Sequence, residues 1–255
     1  MRFLIPFTSA SIAAIITSGF AVVDGRRLGE SAASPAKEED AAEETCPPAR
    51  FATDQEVDLE DYVSKVWYVH EQAPTTYLPI SRNFCVTAEY KLLDRPTPFW
   101  GYTIEVSNQA QDAEGNRYGG KIYAAEKNGP SKLEVAPGFL PRFLAGPYYI
   151  VDYNEKQGYS IVVGGEPNVK SNGKCKTKTR WINSSGGLWI FTRESTRNED
   201  LIKEVRNEAE TKFGLDTSKL NRVDHTNCIY GTDGDAAADA AQSISSSLGV
   251  RGTEP

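Results

Sequence analysis

Residues 67–92 read WYVHEQAPTTYLPISRNFCVTAEYKL. A Trp–Tyr pair opens an alternating run, a Pro/Thr-rich break interrupts it, and a second alternating run begins at Cys85. In that second run Val86, Ala88, Tyr90 and Leu92 share one face, while Cys85, Thr87, Glu89 and Lys91 share the other. Side chains that alternate apolar and polar with a period of two mark a strand buried on one side. The question the stretch raises is why a tryptophan stands at the entrance to an all-β core.

The same pattern continues outward. FWGYTIEVS (99–107) and SKLEVA (131–136) are further strand candidates, the second leaving the loop signal KNGP. GPYYIVDY (146–153) and GYSIVVGG (158–165) flank the polar NEKQ, which reads as a hairpin. KTRWINSSGGLWIFTRE (178–194) supplies another pair around Asn-Ser-Ser-Gly-Gly. About eight strand candidates between Trp67 and Arg193 match the spacing of a sandwich or an antiparallel barrel. One helix follows. Thr196 with Glu199 three residues on forms a capping-box signature. Leu201, Val205, Ala209 and Phe213 recur at spacing four, and Gly214 stands at the C-terminal cap. Its apolar stripe must pack on something, and the outer wall of a barrel is the natural surface.

Composition divides the chain. Residues 1–24 carry an early Arg2, an apolar stretch too short to span a bilayer, and small residues at the end, the order of a secretory signal peptide. Residues 25–45 are an acidic linker without aromatics, expected to be disordered, and 231–255 form a low-complexity tail, also expected to be disordered. The leader sums to zero charge and each of these two segments to −3, which leaves −1 of the net −7 for residues 46–230. A nearly neutral core without a basic stripe argues against nucleic-acid binding, and no later stretch is apolar enough for membrane insertion. Four cysteines, Cys46, Cys85, Cys175 and Cys228, read as two disulfides in a secreted chain, with three connectivities open. No metal site is expected, since no spacing resembles CxxC and only His70 and His225 are available. Asn183-Ser-Ser is the sole glycosylation sequon.

Over residues 46–230 the chain resembles the lipocalins, most closely their apolipoprotein D branch. Three motifs carry the likeness in order. YVSKVWY holds Trp67 and Tyr68, with Lys65 where the family has Gly; VDYNEKQGYSIVV holds Asp152 and Tyr153; LWIFTRES holds Arg193. CPP at Cys46, FCVTAEYKL at Cys85 and VDHTNC at Cys228 add to them. The resemblance implies an eight-stranded antiparallel up-and-down barrel with one C-terminal helix outside, and disulfides Cys46–Cys175 and Cys85–Cys228. It implies too that Trp67 floors the barrel with Arg193 stacked on its face. An eight-stranded barrel closed at one end holds one small ligand, so the expected partner is a small hydrophobic molecule such as a fatty acid, sterol or pigment. No cofactor is implied, and a protein partner is not specified.

Candidate ligand-binding residues follow. Val86, Ala88 and Tyr90 come from the first clear strand, and Leu133 and Val135 from SKLEVA. Tyr149 and Val151 come from GPYYIVDY, and Trp100, Phe139 and Phe143 from loops expected at the rim. Two other readings compete. Xanthophyll de-epoxidases have a lipocalin-like catalytic domain, but this chain lacks their cysteine-dense N-terminal domain and shows no nucleophile–base motif. RRLG followed by KEED (26–29, 37–40) resembles the Arg-Xaa-Leu-Arg leader of secreted effectors, with Gly29 in place of the final Arg.

Overall fold

A computed structural model describes residues 45–49, 51, 56–75, 78–178 and 186–230. The segments 1–24 and 231–255, all of 25–45 except Thr45, and the sequon at Asn183 lie outside them. Eight strands form the barrel: β1 (Trp67–Gln72), β2 (Phe84–Leu92), β3 (Ile104–Gln111), β4 (Arg117–Glu126), β5 (Lys132–Ala136), β6 (Gly146–Asn154), β7 (Tyr159–Val163) and β10 (Leu188–Thr192). Each pairs antiparallel with the next, and β10 returns to β1, so the sheet closes. A two-stranded ribbon, β8 (Val169–Ser171) with β9 (Lys174–Lys176), stands apart, and β11 (Asn221–Arg222) adds to the end of β1. This is the eight-stranded up-and-down barrel that the resemblance implies.

Turn chemistry fixes the hairpins. Asp112 accepts hydrogen bonds from the amides of Glu114 and Asn116, turning β3 into β4. Where those strands pair, Gly119 has φ +141°, and a Cβ there would lie 2.0 Å from the carbonyl oxygen of Asn108, so only glycine fits. Among the described residues, two α-helices accompany the barrel. The short α1 (Leu59–Val63) precedes β1, its N-terminus capped by the Asp58 side chain. The long α2 (Glu199–Thr211) is capped by Asn198, which accepts from the Leu201 amide. The capping residue is therefore Asn198 rather than Thr196: both types cap well, and the chain turns helical two residues later than the box predicts.

The inner and outer surfaces form separate cores. Inside, Trp67, Val69, Val86, Ala88, Ile104, Val106, Ala124, Leu133, Ile150, Val162 and Phe191 belong to one cluster. Outside, Ile202, Val205, Ala209 and Phe213 of the helical segment pack on Val151, Tyr159, Ile161, Val163, Leu188 and Ile190. Strands β6, β7 and β10 are thus apolar on both faces, and a bulge separates Ile150 from Asp152. With the bulge absorbing Val151, the inward residues are Tyr148, Ile150 and Tyr153. Tyr149 and Val151 point outward beneath α2, which corrects their assignment as pocket residues. Alternation cannot set the phase of a strand whose two faces are both buried.

Disulfides join Cys46 to Cys175 of β9 and Cys85 of β2 to Cys228, so both flanks of the domain are pinned outside the wall. Bonds bridging 129 and 143 residues each constrain the unfolded chain by roughly 5 kcal/mol in the loop-entropy picture.

On the outer face near the Cys228 segment, the rings of His70 and His225 lie 4.7 Å apart. His70 Nε2 meets the Glu194 carbonyl, and His225 meets the Val69 carbonyl and Tyr230 hydroxyl. Burial drives the His70 pKa down to about 4 and lowers that of His225. A histidine free in the unfolded chain titrates near 6.5, so between pH ~6.5 and ~4 the unfolded state takes up protons that the folded state refuses. Stability therefore falls as the pH drops through that window, by roughly 3 kcal/mol for His70. Urea midpoints measured from pH 7 to 4.5 should show this loss, and His70→Gln should flatten it.

Candidate functional site

The barrel is closed at the end where β1 begins. Trp67 is fully buried there, its indole N–H donating 2.9 Å to the Tyr62 carbonyl of α1. The Arg193 guanidinium, at the end of β10, lies 3.5 Å over the Trp67 ring. It also donates to the carbonyls of Lys65, Asp61 and Tyr62 and to the Glu155 carboxylate. One side chain thus ties the last strand, the connection into the first strand, α1 and the β6–β7 turn. Tyr153 packs edge-on to Tyr62 and Trp67 and donates 2.7 Å to Asp61 Oδ2. Asp152 faces outward, where it accepts from the Tyr159 hydroxyl, and Tyr68 packs outside against Tyr230 and His225.

Above this floor lies a cavity of about 730 Å³. Its walls are Val69, Val86, Ala88, Val106, Ala110, Ile122, Val135, Trp189 and Phe191, with Gly120 presenting no side chain. At the open end Leu78 and Arg82 come from the β1–β2 connection, Tyr118 from the start of β4, and Pro137, Leu140 and Leu144 from the β5–β6 connection. Arg82 lies 3.8 Å over the Tyr118 ring. The polar lining is sparse. Gln72, Asn108 and Gln109 are on the walls, Lys121 is held by Glu105 at 2.8 Å, and Tyr90 and Tyr148 stand near the floor. The buried Gln72 carboxamide lines the cavity, and its oxygen has no hydrogen-bond partner among the described residues.

At the deep end the tyrosines are linked. The Tyr148 hydroxyl lies 2.9 Å from that of Tyr62 and 2.7 Å from that of Tyr90. Burial pushes the Tyr62 pKa up to about 12 and those of Tyr90 and Tyr148 well above the ordinary phenol value, so all three are neutral.

Of the sequence-derived candidates, Val86, Ala88, Tyr90 and Val135 line the cavity. Leu133 faces inward but is packed into the interior cluster without reaching the cavity surface. Tyr149 and Val151 are outside, as described. Trp100 is on the β2–β3 connection, at the Trp67 end of the barrel, because Leu92 pairs with Ile104 there; it cannot rim the mouth. Phe139 is on a mouth connection but turns to solvent, 78% exposed, and Phe143 does the same. Their neighbours Leu140 and Leu144 face the cavity instead. Sequence reading missed Tyr148, the partner of Tyr90, because the phase of β6 was inverted. It missed Tyr62 because a five-residue helix is too short to show a period.

No family model matches the chain, and no curated protein matches it. Solved structures with a similar fold include apocrustacyanin C1, at 14% identity and TM-score 0.48, over 76% of this chain and 96% of that one. Lobster apocrustacyanin A1 gives 17% identity and TM-score 0.46, over 75% and 94% of the two chains. Per a 4, a major allergen from cockroaches, gives 19% and 0.47, over 72% and 98%.

The floor can be tested directly. Trp67→Ala should cost about 3–5 kcal/mol as a large aromatic lost from a core. Arg193→Ala should cost a similar amount, because it removes the donors to the Lys65 carbonyl and the Glu155 carboxylate as well as the stack. Chemical denaturation measures both, and because the two residues act as a unit, the double variant should lose less than the sum.

Proposed function

We propose that the protein is a secreted lipocalin that binds one small hydrophobic molecule in its barrel and carries or sequesters it without transforming it. The cavity carries the proposal. A volume of about 730 Å³, closed at one end, with apolar walls and few polar groups, suits a single fatty acid, sterol or pigment. Burial of such a molecule against Val86, Val106, Ile122, Val135 and Phe191 would supply the binding energy, at ~25 cal/mol per Å² of apolar surface removed from water. Secretion rests on the leader at 1–24 together with the two disulfides, and the kinship with the apolipoprotein D branch rests on the motifs around Trp67, Asp152 and Arg193. The ionisable groups among the described cavity residues are Arg82, Lys121 and three tyrosines. They offer no paired nucleophile and base, which favours binding over catalysis. No helix among the described residues is long and apolar enough to cross a membrane.

Native mass spectrometry of the protein, purified gently without detergent, is the test. The expected result is an apolar compound bound near one to one, identifiable after release. A protein that emerges empty and ignores fatty acids, retinoids and sterols in tryptophan-quenching titrations would overturn the carrier reading. Ala110→Trp projects bulk into the cavity from β3. It should weaken binding at least tenfold while leaving the circular dichroism spectrum unchanged.

A further inference from the structure

The tyrosines at the deep end specify more than an apolar pocket. Three hydroxyls, those of Tyr62, Tyr148 and Tyr90, share two hydrogen bonds, with Tyr148 in the middle. Each hydroxyl has one proton to donate, so two bonds consume two of three protons. The chain can therefore run in either direction. With protons passed from Tyr90 to Tyr148 and on to Tyr62, the Tyr90 oxygen is left as an acceptor at the cavity surface. With the sense reversed between Tyr62 and Tyr90, the Tyr90 proton faces the cavity as a donor. Tyr90 and Tyr148 both line the cavity; Tyr62 lies buried behind them.

Among the described residues, no cation faces this cluster from inside the cavity. The Arg193 guanidinium is on the far side of the Trp67 ring and is committed to that ring, Glu155 and three carbonyls. The carboxylates of Asp61 and Glu155 sit beyond the same floor, both accepting from Tyr153. The basic groups that do line the cavity, Arg82 and Lys121, come from the mouth connection and the exposed part of β4. A ligand carboxylate pushed to the floor would lose its hydration without gaining a counter-charge, which is costly. A neutral oxygen would instead complete the tyrosine chain.

Building on the carrier reading, we propose that the ligand is a neutral lipid with a hydroxyl or carbonyl oxygen at one end. It enters oxygen-first and completes the chain at Tyr90 and Tyr148.

The experiment uses four sixteen-carbon probes of one chain length: hexadecan-1-ol, hexadecan-2-one, hexadecanoic acid and hexadecane. Each displaces the neutral fluorophore N-phenyl-1-naphthylamine from the wild-type protein, Tyr148→Phe, Tyr90→Phe and Arg82→Gln. The alcohol and ketone should bind the wild type roughly five- to tenfold more tightly than the hydrocarbon and the acid, the effect of one neutral hydrogen bond. That preference should vanish in both Tyr→Phe variants with hexadecane unaffected, and persist in Arg82→Gln. Equal binding of all four, or a preference that survives both Tyr→Phe changes, would overturn the inference and leave the carrier reading standing. So would tightest binding of the acid that is lost in Arg82→Gln, since the polar end would then sit at the mouth. If the wild type binds neither fluorophore nor any probe, the carrier reading itself falls, and the inference with it.

Discussion

An arginine laid across a tryptophan does most of the work of turning this sheet into a container. Strand pairing alone closes the wall, since β10 returns to β1, but a closed wall is a tube. Arg193 over Trp67 adds the base: the guanidinium stacks on the buried ring and uses its remaining donors on α1 and the approach to β1. Each contact is modest, with a cation–π pair worth ~0.5–2 kcal/mol. Their value lies in joining the two ends of the barrel sequence at one point. Lys65, where the lipocalin motif that the chain resembles has glycine, places its carbonyl to accept from Arg193 and its ammonium 3.0 Å from Glu155.

The fold was legible in the sequence where one strand face meets water. In β2 the exposed Lys91 and half-buried Glu89 oppose buried Val86, Ala88 and Tyr90, so period two gives both the strand and its phase. Legibility failed where helix α2 covers the wall. GPYYIVDY offers apolar residues to both cores, and the bulge at Val151 resets the alternation within the strand. The inverted phase carried Tyr149 and Val151 into the pocket list and left Tyr148 out. Trp100 failed for a different reason that was open to correction. Connections of an up-and-down barrel alternate ends, so if β1 starts at the floor, the β2–β3 connection must return there. Phe139 was a matter of side-chain direction in a loop, which no periodic pattern encodes.

Position and chemistry were unequally readable at the floor. Tyr90 follows from strand phase, but its meaning depends on Tyr62 and Tyr148, which lie 28 and 58 residues away in sequence and meet it only in the closed barrel. A hydrogen-bonded chain of neutral phenols in an apolar cavity has a directional ambiguity that a charged group lacks. That ambiguity allows a hydroxyl or a carbonyl to be received by the same three side chains.

The separation of inner and outer cores has a mechanical side. Strands β6, β7 and β10 are clamped between the interior cluster and α2, whereas β4 exposes Arg117, Gly119, Gly120 and Lys121 in succession and carries no outer layer there. The wall is therefore lopsided, two apolar layers deep on the helix side and a single layer along the glycine pair.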